Sequence, residues 1–133
     1  MNRAVFRRLA ERGFGDVDVA SRHIFPHLRP GGTRLTEIAE RADLTKQAVG
    51  YLVDALESRG YVERVPDPTD RRAKLVRWTE RGLEQDRIAM ESFADTERRW
   101  AEALGPGEVA KLREVLERLA DYLEEQTQGA RGR

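Results

Sequence analysis

The stretch that decides the fold is DPTDRRAKLVRWTERG, Asp67 to Gly82. It opens on a turn-prone acidic tip, presents two adjacent arginines, Arg71 and Arg72, and passes at once into KLVRWT. That run is short, alternating and rich in β-branched and aromatic residues, which is the pattern of a strand. YVERV, Tyr61 to Val65, has the same character just upstream. The two runs predict a hairpin with a longer, proline-stiffened tip, PDPTDRRA. Thr79 follows in the position of a helix N-cap. Cations fixed on the tip of a protruding ribbon ask for something anionic to touch.

Working outward, the segment before the hairpin predicts two short helices joined by a tight turn. Thr36 is placed to cap EIAERA, with Leu35, Ile38 and Ala39 on its buried side, and Asp43 and Leu44 make the turn. Thr45 caps a second helix whose apolar stripe is Val49, Leu52, Val53 and Leu56. Gly60 stands where a left-handed C-cap is preferred. Further out lies a short first helix, about Asn2 to Glu11, ended by Gly13 and Gly15. A helical stretch capped by Asp16 follows, with Val17, Ala20, Ile24 and Leu28 at helical spacing and Pro26 expected to kink it. RPGG, Arg29 to Gly32, is a break. After the hairpin comes a long helix to about Leu104, a GPG break, and a last helix from about Glu108 to Glu125. Its apolar residues alternate three and four apart. TQGARGR is read as a frayed tail.

Composition sets the class. The chain has 133 residues, enough for one domain with a real core. Charged residues make up 36%, so much of the charge lies on solvated helix faces. No apolar run approaches the roughly 20 residues of a membrane span. The basic start MNRAVFRRLAERG lacks the apolar centre of a secretion signal, and a cytoplasmic protein is expected. With no cysteine there is no disulfide, thiolate zinc site or thiol redox sensor. Formal net charge is zero, against indiscriminate nucleic-acid binding. Its distribution is uneven: residues 45–82 hold eight Lys/Arg against six Asp/Glu, while residues 83–133 hold eight against twelve.

Helix, helix, tight turn, helix and two-stranded hairpin is the order of a winged helix-turn-helix. The segment from Leu35 to Gly82 resembles the DNA-binding core of the multiple-antibiotic-resistance regulator (MarR) family. The most specific part is DPTDRRAKLVRWTERG, close to that family's wing and the start of its next helix; Trp78 stands where a leucine is usual. The resemblance implies a mainly α fold with a small β-hairpin wing, flanked by N- and C-terminal dimerisation helices. Residues 29–82 would form the DNA-binding lobe of a single domain, residues 1–28 and 83–126 the dimerisation helices, and residues 127–133 a flexible tail. It also implies a homodimer on a pseudo-palindromic site, and a repressor released by a small phenolic or other anionic effector.

In a helix-turn-helix the second helix enters the major groove, and the side chains at its N-terminus meet base edges. Those are Thr45, Lys46, Gln47, Gly50 and Tyr51. Gln47 suits adenine through both amide atoms, Lys46 suits guanine or a phosphate, and Gly50 lets the backbone approach. Asp54 faces the same way and would repel phosphate. By resemblance, Arg72 is the minor-groove residue, Asp70 forms a bridge that holds it or the tip, and Arg71 and Lys74 reach phosphates. Leu112, Leu116, Leu119 and Leu123, with Val5, Phe6 and Leu9, are expected at the dimer interface. His23 and His27, four apart, lie near where the family's effector pocket would be. A metal site there is not expected, given Pro26 between them and no cysteine. No cofactor is implied. Catalysis finds no support: there is no nucleophile beside a histidine, no phosphate loop and no paired carboxylates in a cleft. The rival readings are a winged-helix protein-interaction module, which has no need of a cationic wing, and a ligand-insensitive DNA-binding protein of the same fold.

Overall fold

A computed structural model describes residues 2–131. Ten residues at the start form α1, Asn2–Glu11. The stretch from Asp16 to Leu28 is not one kinked α-helix. It makes two short 3-10 helices, Val19–His23 and Phe25–His27, and the cap is Asp18 rather than Asp16. Asp18 accepts from the Ser21 backbone N–H at 3.0 Å, and Pro26 occupies an N-terminal position of the second turn, where no donor is required of it. Thr33 then ties the loop down, accepting from the Arg29 N–H at 2.9 Å and donating to the His27 carbonyl at 3.0 Å.

A two-residue strand not expected from the sequence follows, β1, Thr33–Arg34. The helices α2, Leu35–Ala42, and α3, Lys46–Ser58, form the helix-turn-helix. Arg34, not Thr36, occupies the cap position of α2 and offers it no side-chain bond, because the helix starts one residue before Thr36. Asp43 closes α2 in the left-handed region at φ 54°, which short polar side chains tolerate. Thr45 does cap α3, accepting from the Ala48 N–H at 3.1 Å.

The hairpin is longer and its tip tighter than its sequence suggests. β2 is Val62–Asp67 and β3 is Asp70–Trp78, leaving only Pro68 and Thr69 as the turn. With β1 they form a three-stranded antiparallel sheet in the order β1-β3-β2. Thr79 caps α4, Glu80–Leu104, by accepting from the Gly82 N–H at 3.1 Å. Gly105 breaks the helix at φ 97°, and Pro106 opens α5, Pro106–Arg131. Residues 127–131, expected as tail, continue α5; residues 132 and 133 lie outside the described residues.

The chain divides into two compact units, one ending at Ser92 and one beginning at Phe93. The first holds the core: Ile24, Ile38, Val49, Val53, Leu56, Tyr61, Val62, Val76 and Ile88 are buried. Trp78 packs on Phe25 at 4.7 Å between ring centroids, so the indole in place of a leucine has an aromatic neighbour. Asp16, though not the cap, is used. It accepts from the Tyr61 hydroxyl, and Arg81 reaches both, at 3.2 Å to Asp16 and 3.2 Å to the phenol oxygen. Arg81 also lies over the Phe14 and Tyr61 rings, at 5.0 and 4.8 Å. In the second unit the end of α4 pairs with α5 through Arg113 and Glu97. No helix among the described residues is long and apolar enough to cross a membrane.

Candidate nucleic-acid interface

The N-terminus of α3 presents its side chains to solvent. Thr45, Lys46 and Gln47 are exposed, and Tyr51 is 76% exposed, unusual for an aromatic residue with no structural duty. A Cβ built on Gly50 meets nothing within 4 Å, so no packing inside the chain demands glycine there. Asp54, on the same face one turn on, does not stand free. Arg64 on β2 donates to it at 2.7 Å and to Glu57 at 3.2 Å, binding the wing's base to α3 and neutralising the carboxylate nearest the exposed face.

The wing arginines sit on a bulge. Lys74 pairs with Pro66 and Asp70 with Asp67, so Arg71, Arg72 and Ala73 have no partner residue on β2. A bulge breaks the ladder and re-aims side chains, here turning a cationic pair outward at the end of a ribbon. Asp70, expected to hold Arg72 or the tip, bonds to the backbone of this segment. Its Oδ1 accepts from the Arg72 backbone N–H at 3.0 Å, leaving the guanidinium free. Such a local bond is one that short acidic side chains favour.

Charge pairing sorts the cations of residues 45–82 into two sets. Arg59, Arg64, Arg77 and Arg81 are each paired with a carboxylate. The charged heads of Lys46, Arg71, Arg72 and Lys74 have no partner among the described residues. These four are the cations that the sequence reading assigns to DNA. Composition could not separate the sets, because the paired arginines find partners on other elements.

The remaining candidates are spread over the molecule. His23 lines an open hollow of about 500 Å³ with Leu44, Thr45, Gln47, Ala48, Tyr51 and Leu52; His27 does not line it. No cluster of three metal-ligating side chains occurs among the described residues. Val5 and Leu9 are buried within the single chain, at 7% and 2% exposure, so in this conformation they offer a second copy almost no surface. Phe6 is half-buried. Leu112, Leu116, Leu119 and Leu123 are about half exposed, with Val115 and Tyr122 beside them.

The sequence reading missed Arg34, Arg64 and Asp67. Asp67 carried a local signal: an aspartate two residues before a threonine at a proline turn is the composition of an Asx turn. Arg34 and Arg64 carried none, since their partners come from other elements.

Residues 27–73 match the model of the MarR family. No curated protein matches the chain. Among solved structures, the transcriptional regulator Tm0710 from Thermotoga maritima is 28% identical, with a TM-score of 0.62, over 94% of this chain and 88% of its own. A MarR-family transcriptional regulator from Rhodococcus sp. RHA1 is also 28% identical, with a TM-score of 0.65, over 88% of this chain and 81% of its own. Streptococcus pneumoniae FabT, solved in complex with DNA, shares the fold at a TM-score of 0.73 and 22% identity, over 94% of this chain and 90% of its own. The capped helix, the bulged wing and these likenesses agree: residues 27–73 carry the match to the MarR family, and the chain is similar in sequence and fold to winged-helix transcriptional regulators of that kind.

Proposed function

We propose that the protein binds duplex DNA as a homodimer, with the N-terminus of α3 in the major groove and the wing beside the adjacent minor groove. It acts as a repressor that a small anionic effector releases. The observation that carries the reading is the sorting of cations. Lys46, Arg71, Arg72 and Lys74 are free while their neighbours are paired, so contact with phosphate breaks no existing ion pair. Thr45, Gln47 and Tyr51 supply hydrogen-bonding and apolar contacts for base edges. Arg72 suits a narrow minor groove, where negative potential is concentrated and the planar guanidinium fits. FabT, a structural relative, has been solved on DNA, in keeping with this use of the fold.

The half-exposed stripe of α5 supports association with a second copy, which would set two lobes on a two-fold site. The hollow beside His23 supports the effector: its lining includes Thr45, Gln47 and Tyr51, so an anion seated there competes with DNA for the same residues.

The test is binding to the DNA flanking the protein's own gene, with excess nonspecific competitor, across a salt series. The reading expects saturable binding whose logarithm falls linearly with that of salt concentration. Arg72→Ala should weaken it by about 1–3 kcal/mol. A flat salt dependence, or indifference to Arg72, overturns the reading.

A further inference from the structure

The wing tip is anchored from outside the hairpin. Arg34, on β1, donates through Nε to Asp67 Oδ2 at 2.7 Å and through Nη2 to Thr69 Oγ1 at 3.3 Å. The other oxygen of Asp67 accepts from the Thr69 backbone N–H at 2.8 Å and from its hydroxyl at 2.7 Å. The Asp67 side chain is only 5% exposed, although it lies at the end of a hairpin where carboxylates ordinarily face water. The Thr69 N–H, then its hydroxyl, and Arg34 hold the carboxyl below its ordinary range, so it is charged at neutral pH.

The anchor lies where the ladder fails. Between Asp67–Asp70 and Pro66–Lys74 the strands are out of register, and the bulge carries Arg71 and Arg72. Unpaired backbone has freedom to lose when it meets a ligand, and that loss is subtracted from affinity. We propose that Arg34 and Asp67 form a clamp that presets the wing tip, so that Arg72 meets DNA already in place. Both are positioning residues, acting through Arg72. The inference rests on the DNA-binding reading above.

Charge gives the proposal its sign. Asp67 is an anion beside a surface that meets phosphates, so if charge alone mattered its removal would tighten binding. A clamp requires the reverse. The probe is a duplex selected from a random-sequence pool by the wild-type protein. Asp67→Ala should bind it about tenfold more weakly, the size of one arginine contact. In an Arg72→Ala background the same change should cost less than about twofold, since the two act through one contact. Thr69→Val, which keeps the shape and removes the hydroxyl, should shift binding the same way by less. In the free protein, exchange of the Thr69 and Arg72 amides should quicken in Asp67→Ala while the α3 amides keep their protection.

Tighter or unchanged binding by both Asp67→Ala and Thr69→Val overturns the clamp while leaving the DNA-binding reading intact. So does an equal loss with and without Arg72. Failure of the wild type to select any duplex overturns the DNA-binding reading itself, and the role of the clamp falls with it.

Discussion

Gly82 shows how one missing atom joins the wing to the helix behind it. A Cβ built there lies 2.0 Å from the Tyr61 carbonyl oxygen and 2.7 Å from the Trp78 ring. The first obstacle is backbone that already accepts the Thr79 N–H at 3.2 Å. It cannot move aside without loosening the start of α4, and Gly82→Ala should therefore destabilise by about 1–3 kcal/mol or more. Denaturant melts should show a lower midpoint at an unchanged slope; an unchanged midpoint would show that the joint is soft. Tyr61 makes a prediction in pH. Burial, then its hydrogen bond to Asp16 and that carboxylate's charge, push the phenol from 10.0 up to about 12. The neutral phenol is the form the folded state favours. Its contribution is complete below pH 10.0 and fades as pH rises toward about 12, because the unfolded chain gives up the proton first. Melts across that interval should show the decline, and Tyr61→Phe should flatten it. At this scale legibility followed sequence distance. Thr45 and Gly60 were readable because a cap and a left-handed turn are local. The role of Asp16 was not, because its partners Tyr61 and Arg81 lie 45 and 65 positions away.

At the scale of elements, periodicity placed α1, α3, α4 and both main strands near their observed positions, since each has a clear apolar face or strand composition. It failed between Asp16 and Leu28, where helical spacing was real but Pro26 and the Asp18 cap favoured short 3-10 turns. It also missed β1, two residues long and present only because β3 offers Val76 and Leu75 as partners. The bulge was hidden for the same reason: register belongs to a pair of strands, and neither carries it alone. The joint between α3 and the wing carries a prediction of its own. Arg64 bridges Asp54 and Glu57, and Asp54 shares the helix face of Gln47 and Tyr51. Arg64→Ala would leave two carboxylates unscreened beside bound phosphates, weakening duplex binding by about 1 kcal/mol. If repulsion is the cause, Asp54→Asn should recover much of the loss in the Arg64→Ala background. No recovery would assign Arg64 a mechanical role in bracing the wing, or a phosphate contact of its own.

For the whole molecule, formal net charge is zero, so long-range attraction to DNA is weak and binding depends on where the free cations sit and how many lobes engage. The sequence offered seven apolar residues for a dimer interface. Heptad-like spacing made the α5 set legible, but it could not say which apolar residues the chain would bury within itself, and Val5 and Leu9 are among those. The α5 set remains half exposed, in a stripe that also includes Val115 and Tyr122. A contiguous apolar face of that kind marks an interaction surface. Placing charge on it tests the assembly without touching the core of the winged lobe, which lies in the other compact unit. Leu116→Glu with Leu123→Glu should convert a dimer to a single-chain mass in sedimentation, while the amides of α3 and the wing keep their exchange protection. Because two linked lobes bind with a high effective concentration, the loss on a two-fold site should be large, about a hundredfold or more. On a half-site the loss should be small. A variant that remains dimeric would move the interface off this stripe, and equal losses on both sites would mean that the substitutions had damaged the lobe itself.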